Sequence, residues 1–189
     1  MKHKANTSLS IEAVTLIKAI KMLLSQPYEN KLKFLSDKKI SCEDWIKSEL
    51  LFLMTEMELS IWDRPRISKT PCCFADVGFT AEEDGSKCEN YNFIEIKIWQ
   101  YGTQSKYAKS TAHDIKKLKD CDYKREHFLL LFTMLDSSKS QEDIAEKWRI
   151  YRHKIEESLE PHGFTGNILV DKPLGFGGAF GVMLFSVKE

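Results

Sequence analysis

The sequence predicts a single mixed α/β domain over residues 1–189, and three observations indicate it. The length is the ordinary size of one domain with its own hydrophobic core. Stretches with helical spacing of apolar residues are interleaved with short apolar runs that have the length of strands. The chain contains no internal repeat, low-complexity tract or linker-like segment that would divide it. Helices interleaved with strands in this way are typical of a β-sheet covered by helices.

Two helices are predicted ahead of the first strand. From about residue 10 to residue 25, apolar residues recur at helical spacing with lysines between them, which indicates an amphipathic helix ahead of the core. A second helix is expected to run to about Leu59, because Ser41 or Asp44 can cap its start and the acids there suit the helix dipole.

The central part of the chain predicts a hairpin followed by a helix and a third strand. The two strands of the hairpin cover about Cys72–Thr80 and Tyr91–Trp99. The acidic segment 82–90 between them contains a glycine and is expected to be the connection. A helix over Gln104–Lys119 and a continuous apolar strand over His127–Met134 follow.

The C-terminal part of the chain predicts one more helix and two short strands. A long, charged helix covers about Lys139–Leu159, and Pro161 and Gly163 stop it. Short apolar segments over Asn167–Val170 and Ala179–Val187 have the composition of strands, with a glycine-rich turn between them. These segments complete the mixed α/β pattern.

Composition excludes several classes of protein. The formal net charge is zero, so any surface that binds nucleic acid must be local. The first six residues have no apolar run behind them, and the longest apolar stretch, 128–135, is too short to span a bilayer. Five cysteines without a CxxC pair argue against a disulfide framework. We therefore expect a cytoplasmic protein without a membrane partner.

The predicted hairpin carries charged residues where the core of a strand should be apolar. Asp76 lies in the first strand, and Glu95 and Lys97 lie within the apolar run of the second. Because Glu95 and Lys97 are two residues apart, their side chains leave the same face of the strand. Burying charge is costly unless it is paired or binds a metal. The hairpin therefore indicates a metal-dependent phosphodiesterase site.

Glu49 is a third acid in apolar surroundings. On a helical wheel it falls inside the apolar arc of the second predicted helix, where a carboxylate snorkels, pairs with a cation or faces a site. Taken singly, Glu49 fits a buried salt bridge, Asp76 fits a turn cap, and Glu95 with Lys97 fits an exposed ion pair. One shared site explains all of them together.

In this order, the residues resemble the PD-(D/E)xK nuclease superfamily. Trp45–Leu50 is similar to the family's first core helix with its acid, Asp76 to the aspartate of the central hairpin, and Ile94–Lys97 to the E-x-K strand. Segments 114–118 and 128–132 are similar to the next helix and strand. One departure is that alanine, not proline, precedes Asp76. The resemblance implies an α/β, restriction-endonuclease-like mixed β-sheet flanked by helices.

The resemblance also implies the chemistry of a metal-dependent nuclease. Asp76, Glu95 and the backbone carbonyl of Ile96 would bind Mg²⁺ or Mn²⁺, which prefer oxygen ligands, and Glu49 would hold a second or hydrated ion. Lys97 would orient the attacking water or stabilise charge on the phosphorus. Glu49, Asp76, Glu95 and Lys97 are thus predicted to be the catalytic residues of an endonuclease.

The implied substrate is DNA, in a restriction-like defence or repair role, and RNA stays open. Because a small domain that cuts both strands needs two sites, a homodimer is expected. The helix after the motif predicts a surface for nucleic acid along one face, and a merely solvated face is the alternative. That face carries Lys106, Lys109, Lys116 and Lys117. The alternative function is an inactive module of the same fold that binds nucleic acid or a protein partner.

Overall fold

The computed structural model describes residues 9–37, 42–68, 73–81, 91–100, 104–123, 125–134, 144–162, 167–174 and 179–187. These residues form an α/β structure in which helices cover both faces of a six-stranded mixed sheet. The predicted α/β class, with a mixed sheet flanked by helices, is confirmed. The predicted connection 82–90 and the first five residues of the predicted helix 139–159 lie outside the described residues.

Five helices are found in the described residues, and three of them follow the prediction closely. They are α1 (Ile11–Leu23), α2 (Tyr28–Asp37), α3 (Glu43–Glu56), α4 (Gln104–Lys119) and α5 (Ile144–Leu159). The N-terminal helix and α3 begin and end within a few residues of their predicted limits, and the bounds of α4 are confirmed. The sequence did not predict α2, because its residues are mostly polar and follow Pro27 directly, which is typical of a turn. No helix in the described part of the chain is long and apolar enough to cross a membrane.

The six strands lie in the spatial order β1-β2-β3-β4-β6-β5. They are β1 (Ser60–Asp63), β2 (Val77–Thr80), β3 (Asn92–Gln100), β4 (His127–Met134), β5 (Asn167–Pro173) and β6 (Ala179–Val187). Strands β3 and β4 are parallel, and the other neighbouring pairs are antiparallel. The sequence did not predict β1, because this four-residue edge strand has no buried residue to set a period.

Alternate residues of β3 face two separate apolar clusters. Ile94 and Ile96 are buried with residues of α1, α2 and α3 on one face of the sheet. Phe93 and Trp99 are buried with residues of α4 and α5 on the other face. Glu95 and Lys97 share the second face because they alternate with the isoleucines. The charged residues of β3 therefore lie under α4.

Helix α4 connects the parallel strands β3 and β4, and a buried hydrogen bond fixes it to β3. The indole Nε1 of Trp99 donates to Thr111 Oγ1 at 3.0 Å, and both side chains are fully buried. Asp114 lies three residues beyond Thr111 on α4, which places it on the same side of the helix. This bond sets which turn of α4 lies over Glu95 and Lys97.

Candidate active site

Glu95 is the centre of a buried ion-pair cluster. Its side chain is 2% exposed, and it faces α4 from the middle of β3. Its Oε2 lies 3.6 Å from Lys97 Nζ, and its Oε1 contacts the ammonium group of Lys117 on α4. Both lysine side chains are largely buried too. The predicted placement of Glu95 and Lys97 on one face of a strand is thus present in the structure.

Asp114 of α4 completes the cluster. Its Oδ2 lies 3.1 Å from Lys97 Nζ, and its Oδ1 lies 3.2 Å from Lys117 Nζ. Each of the two lysines therefore lies between Glu95 and Asp114, one carboxylate from the strand and one from the helix. Two acids and two bases balance in formal charge, which is how a buried network avoids an unpaired charge.

Asp76 is fixed beside Glu95 by backbone contacts. Its Oδ2 accepts a hydrogen bond from the Ile96 amide at 2.8 Å, and its own amide donates to the Ile94 carbonyl at 3.2 Å. Val77 pairs with Ile94 in the β2–β3 register, so one residue further along Asp76 lies opposite Glu95. The structure therefore brings Asp76, Glu95 and Lys97 together, and Ile96 joins them through its amide.

Burial and the neighbouring Asp76 shift the pKa of Glu95. Burial, and then the negative charge of Asp76, raise the pKa of Glu95 to about 8, although Lys117 and Lys97 act in the opposite direction. Burial alone lowers the pKa of Lys97, but the carboxylates of Glu95 and Asp114 outweigh it, and the net shift is upward. The site thus holds the protonated ammonium group of Lys97 next to the carboxyl groups of Asp76 and Glu95. Two neighbouring carboxyl groups favour the binding of a further positive charge.

The charges of the cluster act on Glu43, the first residue of α3. Burial raises the pKa of Glu43, and the charges that act on it next are the ammonium of Lys97 and the carboxylate of Asp76. Asp114 also acts on it. Glu43 therefore lies within electrostatic reach of the strand acids and of Lys97. From the sequence, the acids at the start of this helix were expected only to interact favourably with the helix dipole.

The structure does not bring Glu49 into the cluster. Its Oε1 accepts a hydrogen bond from Lys31 of α2 at 2.9 Å, and its side chain is 17% exposed. Six residues separate it from Glu43, which is about 240° around an α-helix, so the two acids leave different sides of α3. Glu49 thus forms the salt bridge that the sequence left open as the alternative, and Glu43 is the acid of α3 on which the charges of the site act.

The predicted lysine face of α4 divides into different environments. Lys117 is a buried member of the cluster, with a side chain that is 14% exposed. Lys116 is exposed and pairs with Asp120 one turn further on, and Lys109 is exposed. The side chain of Lys106 lies outside the described part of the structure. The described lysines of α4 therefore do not form a continuous phosphate-binding stripe.

The donor atoms at this site suit a hard divalent cation. Among the described residues, no three or more histidine, cysteine, aspartate or glutamate side chains are grouped so that they could hold a metal ion. Mg²⁺, however, is commonly held by only one or two carboxylates together with waters and phosphate oxygens. The carboxylates of Asp76 and Glu95 are such a pair, and burial followed by the negative charge of Asp76 raises the pKa of Glu95. The residues present therefore fit the predicted Mg²⁺ or Mn²⁺.

Comparison with protein families, with curated proteins and with solved structures found no match for this chain.

Proposed function

We propose that the protein is a divalent-metal-dependent nuclease of the PD-(D/E)xK type, a hydrolase that cuts phosphodiester bonds in DNA. The observation that carries the proposal is the buried pair Glu95 and Lys97 on one strand, with Asp76 bonded to the amide of the intervening Ile96. The motif order of the sequence and the convergence of these side chains support the same chemistry. In this proposal the mixed sheet is of the restriction-endonuclease-like type.

Asp76 and Glu95 are the residues that would hold Mg²⁺ or Mn²⁺, with the Ile96 carbonyl as a further ligand. When bound, the ion would supply Lewis-acid polarisation of the phosphate and acidification of a water. Lys97 keeps its proton at neutral pH, because the surrounding carboxylates raise its pKa. It is therefore suited to stabilise negative charge that develops on the phosphate, and unsuited to act as a general base.

Residues of the two flanking helices support these groups. Asp114 contacts the ammonium of Lys97 at 3.1 Å and so holds it beside Glu95. Lys117 offsets the buried charge of Glu95. Glu43, on which the charges of Lys97 and Asp76 act, would take the role that the sequence had assigned to Glu49. A homodimer that presents two such sites to a duplex is part of the proposal.

A specific observation also favours a second candidate, a catalytically inactive module that binds nucleic acid or a protein partner. Glu95 and Asp114 each contact both Lys97 and Lys117, which is the arrangement expected of a purely structural network. In that case Asp76 would serve to fix the hairpin through the Ile96 amide. The two candidate functions predict different effects when Asp76 is replaced.

Cleavage assays with matched variants test the proposal. Supercoiled plasmid, single-stranded DNA and RNA are incubated with Mg²⁺ or Mn²⁺, and with EDTA as the metal-free reference. We expect Asp76→Asn to lose cutting by at least about a hundredfold, because a metal ligand and part of the electrostatic stabilisation are lost. Glu49→Gln is the matched control, since Glu49 pairs with Lys31 away from the cluster, and it should cut like the wild type.

Three other outcomes of these assays would contradict or change the proposal. Equal cutting by Asp76→Asn and the wild type contradicts this site as the source of activity. Absence of cutting on every polymer, with no metal-induced rise of the melting temperature, contradicts the nuclease and supports the binding module. Loss of cutting in Glu49→Gln, with an unchanged melting temperature, would return the α3 role from Glu43 to Glu49.

A further inference from the structure

Two exposed aromatic residues and two exposed arginines lie in the part of the chain just before Asp76. Trp62 of β1 is 38% exposed and Phe74, two residues before Asp76, is 41% exposed. Arg64 and Arg66 lie between them in the paired segments and are exposed as well. We call Trp62, Arg64, Arg66 and Phe74 the edge strip.

Strand register places the edge strip next to the candidate site. Trp62 pairs with Gly78, and Arg66 pairs with Phe74 across an isolated bridge. The amide of Arg64 donates to the carbonyl of Asp76 at 3.1 Å. Every member of the strip therefore lies across from, or within two residues of, the segment that holds Asp76.

Trp62 also lies on the same face of the sheet as the ion-pair cluster. Gly78, its partner on β2, pairs in turn with Phe93 of β3, which shares its face with Glu95. The Trp62 ring packs edge-to-face against Tyr91, with centroids 6.0 Å apart. A Cβ at Gly78 would come within 3.2 Å of the Tyr91 ring and 3.0 Å of Pro65. Glycine at this position therefore leaves room for the Tyr91 ring on which Trp62 packs. Trp62 is thus held in place while the residue stays 38% exposed.

We infer that the edge strip binds the unpaired bases of a single strand, so that the substrate class is single-stranded DNA or a single-stranded segment beside the cut. The inference deepens the proposed function and rests on it. Exposed aromatic rings stack on bases, and arginines attract the phosphates between them. In a duplex the base faces are already stacked on one another, so fixed rings such as Trp62 find partners only on unpaired bases.

The rest of the molecule supports single-strand binding over general duplex binding. Net charge is zero, so the long-range attraction that drives non-specific duplex binding is small. On α4, Lys116 and Lys117 are engaged with Asp120 and with the cluster. Stacking, which does not depend on net charge, is then the main available source of affinity.

Binding in EDTA tests the inference independently of cleavage. The full chain is titrated against a fluorescently labelled oligothymidine and against a duplex of equal length, and anisotropy gives the affinities. We expect tighter binding of the single strand, and a loss of about tenfold for Trp62→Ala and for Phe74→Ala. Phe52→Ala is the matched control, because Phe52 of α3 is a 54% exposed aromatic residue outside the strip, and it should bind like the wild type.

A conservative variant separates stacking from folding. Trp62→Phe keeps a ring that packs on Tyr91, so it should retain most of the affinity even where Trp62→Ala lowers the melting temperature. Equal binding by the wild type, Trp62→Ala and Phe74→Ala, a preference for the duplex, or no binding of either oligonucleotide overturns the inference. Strip-dependent binding without metal-dependent cutting would contradict the proposed nuclease alone, and cutting without strip-dependent binding would contradict the inference alone.

Discussion

At the scale of single residues, Glu95 links the site to pH. Its pKa is raised from 4.5 to about 8, so the folded protein binds a proton that the unfolded chain releases between these values. The free energy of unfolding therefore falls as pH rises through this window. We expect Glu95→Gln to remove most of this fall, so that its melting temperature exceeds that of the wild type by a margin that grows from pH 5 to pH 8. Thermal unfolding at a series of pH values measures it, and a constant or shrinking margin would contradict the shift.

The same pKa predicts how metal affinity depends on pH. Only the deprotonated carboxylate of Glu95 is a good ligand, so binding of Mn²⁺ must displace the proton. We expect the affinity to rise about tenfold per pH unit below pH 8 and to level off above it. Titration calorimetry in buffers of different ionisation enthalpy measures both the affinity and the proton released. Asp76→Asn should bind Mn²⁺ weakly at every pH, and a pH-independent affinity in the wild type would count against Glu95 as a ligand.

Lys97 provides a third prediction at this scale. Because the carboxylates around it keep it protonated, Lys97→Met should lower the cleavage rate by about a hundredfold or more through loss of charge stabilisation. The pH profile of the residual activity should keep the limb that belongs to Glu95, moved to higher pH because the charge of Lys97 lowers the pKa of Glu95. Single-turnover rates from pH 6 to pH 9 measure it. A profile that loses its pH dependence in Lys97→Met would mean that Lys97 acts as the base after all.

At the scale of elements, helix α4 depends on one buried hydrogen bond for its placement over β3. Thr111→Val keeps the shape of the side chain but leaves the indole Nε1 of Trp99 without its acceptor, which costs about 1–3 kcal/mol. We expect a lower free energy of unfolding, and also a lower cleavage rate, because Asp114 and Lys117 would lose their register above Glu95. Ser110→Ala is the neighbouring control on an exposed position and should change neither quantity. Denaturant titration and plasmid cutting measure the two effects.

Elements with strong local signals could be predicted from the sequence, and weak ones could not. The limits of α4, β4 and β6 agree with the prediction because each has a clear period or a continuous apolar run. Helix α2 was missed because its residues are mostly polar and follow Pro27, and strand β1 was missed because none of its four residues is buried.

The candidate site divides in the same way. Strand alternation alone places Glu95 and Lys97 on one face, and the hairpin brings Asp76 opposite Glu95. Helix contributions depend on which turn of each helix meets the sheet, and a helical wheel does not contain that information. The wheel therefore selected Glu49, whereas Glu49 pairs with Lys31 and the charges of the cluster act on Glu43. Asp114 and Lys117 reach the cluster only through the placement of α4 over β3.

At the scale of the whole molecule, a net charge of zero makes the position of each cation decisive for nucleic-acid binding. Two surfaces compete for the role: the edge strip with Arg64 and Arg66, and the exposed part of the α4 face with Lys109 and Lys116. Each phosphate contact on a single strand contributes about −0.7 to the slope of log affinity against log salt concentration. The slope therefore measures how many cationic side chains contact phosphates of the strand.

We expect the wild type to show a shallow slope, of about −1 to −2, because few cations are involved. Replacing Arg64 and Arg66 together by alanine should bring the slope close to zero and weaken binding at low salt. Replacing Lys109 and Lys116 should leave it unchanged, as should Arg149→Ala, whose guanidinium pairs with Glu146 on the exposed side of α5. Anisotropy titrations with oligothymidine between 50 and 300 mM salt measure the slopes. If the lysine variant loses the slope and the arginine variant keeps it, the strand runs along α4, and the edge strip is not its binding surface.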